Sequence, residues 1–184
     1  MSIRITGGNF RGRNVPSPDT SKTRPTASRT REALFNILQG VENYRVLDLF
    51  AGTGVMGIEA LSRGAASVTA VEMAKVQARL VLQAYKSLSL ESRLNLLEKN
   101  ALTLSKEELC KEEGFDLIYA DPPFKDMDYP DLRNFWEWLN PGGVAVFEAP
   151  TKRLPDWAKE AQDCDLLQIR KYGESSLLIY RRHC

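Results

Sequence analysis

The chain has 184 residues, of which 43% are hydrophobic and 27% charged, the size and composition of one globular domain with a substantial core. No stretch approaches the roughly 18 apolar residues of a membrane span, and the opening Met-Ser-Ile-Arg-Ile-Thr-Gly-Gly lacks the apolar core of a secretory signal, so no membrane partner and a cytoplasmic setting are expected. Three widely spaced cysteines (Cys110, Cys164, Cys184) follow no metal-ligand pattern and the one histidine, His183, is next to the last residue, so neither a metal nor histidine-based catalysis is expected.

The net charge of +1 is an average over two unlike parts. Residues 1–31 hold Arg4, Arg11, Arg13, Lys22, Arg24, Arg29 and Arg31 against Asp19 alone, for +6, while the remainder carries −5. A basic arm on an acidic body suits contact with a polyanion. Six of the seven cations are arginines, with Phe10 among them, and arginine makes bidentate phosphate contacts that lysine does not.

In chain order, residues 3–6 and 12–15 are expected to form a hairpin turned by Gly7-Gly8-Asn9. Pro16, Pro18 and Pro25 mark an extended arm. Residues 29–39 read as a helix, with Ala33, Leu34, Ile37 and Leu38 on one face and Gly40 ending it. Strands and helices then alternate: strand 45–50, helix 55–63, strand 67–72, helix 75–88, strand 94–98, polar helix 106–113 and strand 115–120. A helix at 132–139 ended by Asn140-Pro141-Gly142-Gly143, a strand at 144–148 and a short helix near 156–161 follow. A hairpin of 166–171 and 175–181 around Gly173 closes the chain. This alternation predicts an α/β fold with a largely parallel sheet and helices on both faces.

Gly52-Thr53-Gly54-Val55-Met56-Gly57 fits G-x-G-x-x-G between a strand and a helix, which by itself suggests a dinucleotide fold. Glu72 ends the next strand and can accept ribose hydroxyls. Asp48, four residues before Gly52, argues against a pyrophosphate, which also seeks the helix N-terminus. An anion at that point suits a cationic nucleoside. S-adenosylmethionine carries a sulfonium and an ammonium and no phosphate. Asn100-Ala101 follows the third core strand, where an amide can meet the adenine amino group and a plain turn is the competing reading.

The second chemical signal is Asp121-Pro122-Pro123-Phe124 at the end of a predicted strand. Two prolines fix φ and remove two donors. The corner therefore offers acceptors, the Asp121 carboxylate and the Pro122 carbonyl, and no N–H. An exocyclic amine on a base presents two N–H groups to such a corner, and Phe124 can stack on the base, which must be flipped out if it lies in a helix. Carbon methylation of a pyrimidine needs a cysteine nucleophile, and no cysteine stands in a suitable motif.

The segments Ile3-Arg4-Ile5-Thr6-Gly7-Gly8-Asn9-Phe10-Arg11-Gly12-Arg13, Thr23-Arg24-Pro25-Thr26 and Arg31-Glu32-Ala33-Leu34-Phe35-Asn36-Ile37-Leu38, with residues 46–60 and 121–124, resemble the RsmD-type 16S ribosomal RNA guanine-N2 methyltransferases of bacteria over nearly the whole chain. The resemblance implies a class I S-adenosylmethionine-dependent methyltransferase fold, Rossmann-like with a seven-stranded sheet and a small N-terminal β-hairpin extension. It implies one domain, 1–184, with a basic hairpin and arm for RNA contact at 1–26 and a catalytic α/β core at 27–184. The implied reaction moves a methyl group to N2 of one guanine in 16S rRNA, within an assembled or assembling small subunit, and leaves S-adenosylhomocysteine; a monomer is expected. Carried over by position, Asp48, Gly52 and Gly54 line the methionine end of the cofactor. Glu72 binds ribose with Met73 beside the adenine, and Asn100 and Ala101 flank it. Asp121, Pro122, Pro123 and Phe124 hold the target base. Arg24 and Thr26 stand at the active-site mouth, and Arg4, Arg11, Arg13 and Arg29 join them as RNA contacts.

Three other readings compete: an adenine-N6 methyltransferase of DNA or RNA, a protein glutamine methyltransferase, and a non-catalytic RNA-binding assembly factor that keeps a cofactor pocket. The acceptor motif serves both guanine and adenine, the basic arm favours rRNA, and a glutamine methyltransferase more typically has Asn where Asp121 stands.

Overall fold

The computed structural model describes residues 2–17, 28–109, 113–123, 129–159 and 163–184. It divides into two compact units, Met1–Leu104 and Ser105–Cys184.

The first unit opens with the expected hairpin, β1 (Ser2–Arg4) antiparallel to β2 (Asn14–Pro16), with Ile3 opposite Val15. Its connection is longer than a tight turn and contains a 3₁₀ turn at Gly8–Phe10. Helix α1 (Ser28–Leu38) follows. The core is a parallel set, with β3 (Arg45–Asp48) beside β4 (Ser67–Val71), and β4 beside β5 (Leu94–Leu97). Helices α2 (Val55–Ser62) and α3 (Lys75–Lys86) connect these strands, as crossovers between parallel strands require.

All eight residues of α2 are buried, Glu59 among them with none of its surface exposed. Its carboxylate gathers donors from three elements. The Thr6 amide and hydroxyl donate to it at 2.8 and 3.0 Å. Arg31 Nε of α1 donates at 3.1 Å and Arg63 Nη1 completes the set. Arg31 Nη2 also donates to the Arg4 carbonyl at 2.8 Å. One helical turn further, Ser62 Oγ accepts from the Phe10 amide at 2.9 Å and donates to the Gly7 carbonyl at 2.6 Å. The hairpin is thereby clamped to the C-terminal half of α2. This changes the charge reading of the arm: Arg31 is 2% exposed and held in a buried ion pair, so it is a structural cation of the hairpin clamp and not part of the basic surface.

The second unit contains α4 (Lys106–Leu109), within the span 106–113 where a polar helix is expected; Glu113, at the end of that span, is not helical. Its strands are β6 (Phe115–Ala120), β7 (Leu139–Pro150), β8 (Cys164–Tyr172) and β9 (Ser175–Arg182). β6 and β7 are parallel; β9 runs antiparallel to both β7 and β8. Three expectations need correction. The helix at 132–139 is a 3₁₀ helix, Arg133–Trp138. Leu132, Phe135 and Trp138 are buried at intervals of three, as are Trp136 and Leu139, a period that matches three residues per turn. Asn140–Gly143 does not precede the next strand but lies within β7, where the register against β6 shifts. Asn140 steadies this irregular start, accepting from the Gly114 amide at 3.0 Å and donating to Asp116 at 2.8 Å. The short helix expected near 156–161 is a 3₁₀ turn at Asp156–Lys159 over its described part.

Removing Glu59 would leave Arg31 and Arg63 without their shared anion. Glu59→Ala is expected to destabilise the protein by about 3–5 kcal/mol, the usual cost of breaking a buried pair, as measured by urea unfolding.

Candidate active site

In the first unit, β3 ends at Asp48 and the chain enters the glycine loop. Gly52 and Gly54 take φ of +52° and +72°, left-handed conformations that a side chain disfavours. The loop is tied from two sides. The Gly52 amide donates to Glu72 Oε2 at 3.0 Å, and the Gln77 side-chain amide donates to the Gly52 carbonyl. Glu72 Oε1 accepts from the Ala74 amide at 2.8 Å. Glu72 thus locks the loop while each oxygen keeps a lone pair for a hydroxyl donor. Gln77 was not among the expected site residues, and no spacing in the sequence singles it out.

Asp48 is 1% exposed, and neither of its carboxylate oxygens accepts a well-formed hydrogen bond from the described residues. Burial, and then the charge of Glu72, push its carboxyl up to about 7 from 3.8, with the Gly57 amide pulling part of the way back. Two carboxylates at one loop, one of them buried without a well-formed partner among the described residues, have the chemistry that suits a cation.

The remaining expected cofactor residues belong to the same unit. Met73 is 68% exposed beside Glu72. Asn100 Oδ1 accepts from the Leu102 amide at 3.0 Å: the amide side chain serves the turn, and one lone pair remains. Ala101 is buried and Leu102 is half exposed, giving apolar surface next to Asn100. The donor set suits a nucleoside carrying positive charge: a carboxylate with free lone pairs for ribose, apolar surface for a base, and an anion for a cationic centre.

In the second unit, Asp121 is half-buried, Pro122 buried and Pro123 exposed, just past the end of β6; Phe124 lies outside the described residues. Two tyrosines unmarked by the sequence stand close by. Tyr129 Oη donates to the Glu148 carbonyl at 2.7 Å, and Tyr119 Oη donates to Glu148 Oε2 at 2.8 Å. Burial above all, and then the negative charge of Asp121, hold the Tyr129 hydroxyl protonated far above its ordinary range. Of the expected RNA contacts, Arg4, Arg11, Arg13 and Arg29 are exposed. The Arg13 guanidinium lies 5.6 Å from the Phe10 ring centroid, and Arg24 and Thr26 lie outside the described residues.

A glycine-rich acidic loop after the first core strand, and a Pro-Pro corner after a later one, belong to the Rossmann-like α/β fold of class I S-adenosylmethionine-dependent methyltransferases, here with seven strands besides the hairpin. The solved structure of a candidate methyltransferase, yhhF from Escherichia coli, matches all of this chain and 99% of its own, with a TM-score of 0.82 and 29% identity. The chain belongs to the family described as conserved hypothetical protein 95, whose model matches residues 3–181, the family of the RsmD-type enzymes it resembles. Ribosomal RNA small subunit methyltransferase D of Escherichia coli (strain K12) is 38% identical over 124 residues, covering 67% of this chain and 61% of that protein. The protein of the same name from Buchnera aphidicola subsp. Acyrthosiphon pisum is 36% identical over 155 residues, covering 82% and 80%.

Because folding raises the Asp48 pKa, the native state keeps a proton that the unfolded chain gives up between about pH 4 and 7, and stability falls as pH rises through that window. Asp48→Asn removes the penalty. Its melting temperature without ligand is expected to exceed that of the native sequence by a margin that grows from pH 4 to 7 and then levels off. The full margin is on the order of 4 kcal/mol by the pKa difference. A margin independent of pH would show that Asp48 is not the titrating group.

Proposed function

We propose that the chain is an S-adenosylmethionine-dependent methyltransferase acting on the exocyclic N2 of one guanine in 16S rRNA of the small ribosomal subunit. The observation that carries the reading is the buried, unpartnered Asp48 beside Glu72, a cation site at a nucleotide loop, in a chain that shares its family with rRNA methyltransferases. In this reading Asp48, Gly52 and Gly54 hold the charged methionine end and Glu72 takes the ribose hydroxyls. Met73, Asn100 and Ala101 surround the adenine. The cofactor, when bound, supplies an electrophilic methyl on its sulfonium.

The acceptor corner does the rest by positioning. The two N–H groups of the guanine amine donate to the Asp121 carboxylate and the Pro122 carbonyl. That orients the nitrogen and lets its lone pair leave conjugation with the ring, and Phe124 stacks on the base. Pro122 and Pro123 keep the corner rigid and free of competing donors. Positioning of this kind supplies roughly 7–11 kcal/mol of a barrier. Asp121 is the acceptor for the proton that the amine loses. Arg4, Arg11, Arg13 and Arg29, with Arg24 and Thr26, grip the RNA backbone. The hairpin and arm at 1–26 thus serve substrate contact and 27–184 the chemistry. We place the enzyme in the cytoplasm, acting as a monomer on an assembled or assembling subunit.

Radiolabelled S-adenosylmethionine should pass its methyl to small subunits that lack the mark, and nuclease digestion with mass spectrometry should return N2-methylguanosine. Recovery of N6-methyladenosine would assign the adenine chemistry instead. Asp121→Ala is expected to reduce transfer at least a thousandfold while cofactor affinity stays within about threefold; retained activity would remove Asp121 from the acceptor site. Neutralising Arg11 and Arg13 together should weaken RNA binding and lower its salt slope by about 1.4–1.8, at roughly 0.7–0.9 per phosphate contact. An unchanged slope would take these residues out of the RNA contact.

A further inference from the structure

The loop glycines make room for one particular ring. A Cβ on Gly57, in the first turn of α2, would lie 2.1 Å from the Tyr85 hydroxyl and 2.7 Å from Val68 Cγ1. A Cβ on Gly54 would lie 2.8 Å from Val81 Cγ1 and 3.3 Å from Tyr85 Cε2. Tyr85, on α3, has no exposed surface, and its hydroxyl has no hydrogen-bond partner among the described residues. Phenylalanine would fill the same slot without burying an unpaired polar atom, which is a cost to stability. The other unpartnered group at this loop is Asp48, drawn toward the same Gly57.

We infer that Tyr85 is a positioning residue for the cofactor, its hydroxyl donating to the Asp48 carboxylate when a bound cation holds that carboxylate ionised. The inference rests on the cofactor reading above. Three groups influence Asp48 among the described residues: Glu72 past the end of β4, Tyr85 from α3 and the Gly57 amide from α2. Glu72 repels the ionised form, and Tyr85 brings the only O–H. A protonated Asp48 carries a donor of its own, whereas the ionised form only accepts. The hydroxyl therefore favours the charged state selectively, and the carboxyl proton leaves to solvent as the cation binds. Burial and the Asp48 charge keep the Tyr85 hydroxyl protonated well above its ordinary range, so it remains a donor at any working pH.

The test is calorimetric titration of S-adenosylmethionine into the full chain, Tyr85→Phe, Asp48→Asn and the double variant from pH 5 to 8, beside thermal melts without cofactor. Tyr85→Phe should melt at the same temperature as the native sequence or higher. It should bind about tenfold more weakly at pH 7.5, as expected for loss of a hydrogen bond to a charged group. The pH below which affinity stops falling, which marks Asp48 in the complex, should move up. In the Asp48→Asn background the same change should alter affinity less than twofold. A folded Tyr85→Phe with unchanged affinity and pH profile would overturn the inference and leave the cofactor reading standing, as would a clearly lower melting temperature, which would mean the hydroxyl is already paired. A native chain that binds no S-adenosylmethionine would overturn the cofactor reading itself.

Discussion

A buried carboxylate without a partner is the constraint around which the first unit is arranged. Folding normally pairs a buried charge or neutralises it. Both solutions occur here within one stretch of chain. Glu59, fully buried in α2, receives donors from Thr6, Arg31 and Arg63 and is spent entirely on structure. Asp48 receives no well-formed hydrogen bond from the described residues, only the pull of the Gly57 amide. Around it the fold places a second carboxylate, Glu72, that raises the cost of its charge further, and glycines that keep side chains away. Such an arrangement is unfavourable for the empty protein, and the proposed cationic cofactor would relieve it.

Helix α2 links the two uses. Its N-terminus closes the glycine loop, and its C-terminal half carries Glu59 and Ser62, which hold the N-terminal hairpin. The exposed arginines of that hairpin are thereby anchored to the helix that shapes the cofactor loop, through hydrogen bonds that are largely shielded from water. In the second unit the same economy of donors recurs. The Asp121-Pro122-Pro123 corner removes N–H groups from its own backbone. Tyr119 and Tyr129 donate their hydroxyls to Glu148.

Much of this was legible in the sequence, because it follows from local rules. Alternating strands and helices, the glycine loop after an apolar run, and the paired prolines at a strand end are statements about backbone geometry within a few residues, and β6 falls on its expected span. The misreadings have a common origin in long-range packing. Arg31 looked like surface charge until Glu59, 28 residues away, was seen to bury it. The helix at 132–139 became a 3₁₀ helix because its buried residues, Leu132, Phe135 and Trp138, recur every three positions, and that choice is made by what they pack on. Asn140–Gly143 looked like a stop signal and instead forms the irregular start of β7, held by Asn140 against Gly114 and Asp116.

The sequence by itself determined the kind of fold, and it supplied the chemistry on which the proposed roles of Asp48 and of residues 121–123 rest, since each depends on residue type and short spacing. Tertiary structure alone decided which charges are free and which are committed. It showed that Asp48 is stripped of partners while Glu59 is saturated, that Gln77 ties the loop, and that the Tyr85 hydroxyl lies under Gly57. Burial and hydrogen-bond pairing are properties of the assembled surroundings, contributed by residues tens of positions apart, and no local pattern encodes them.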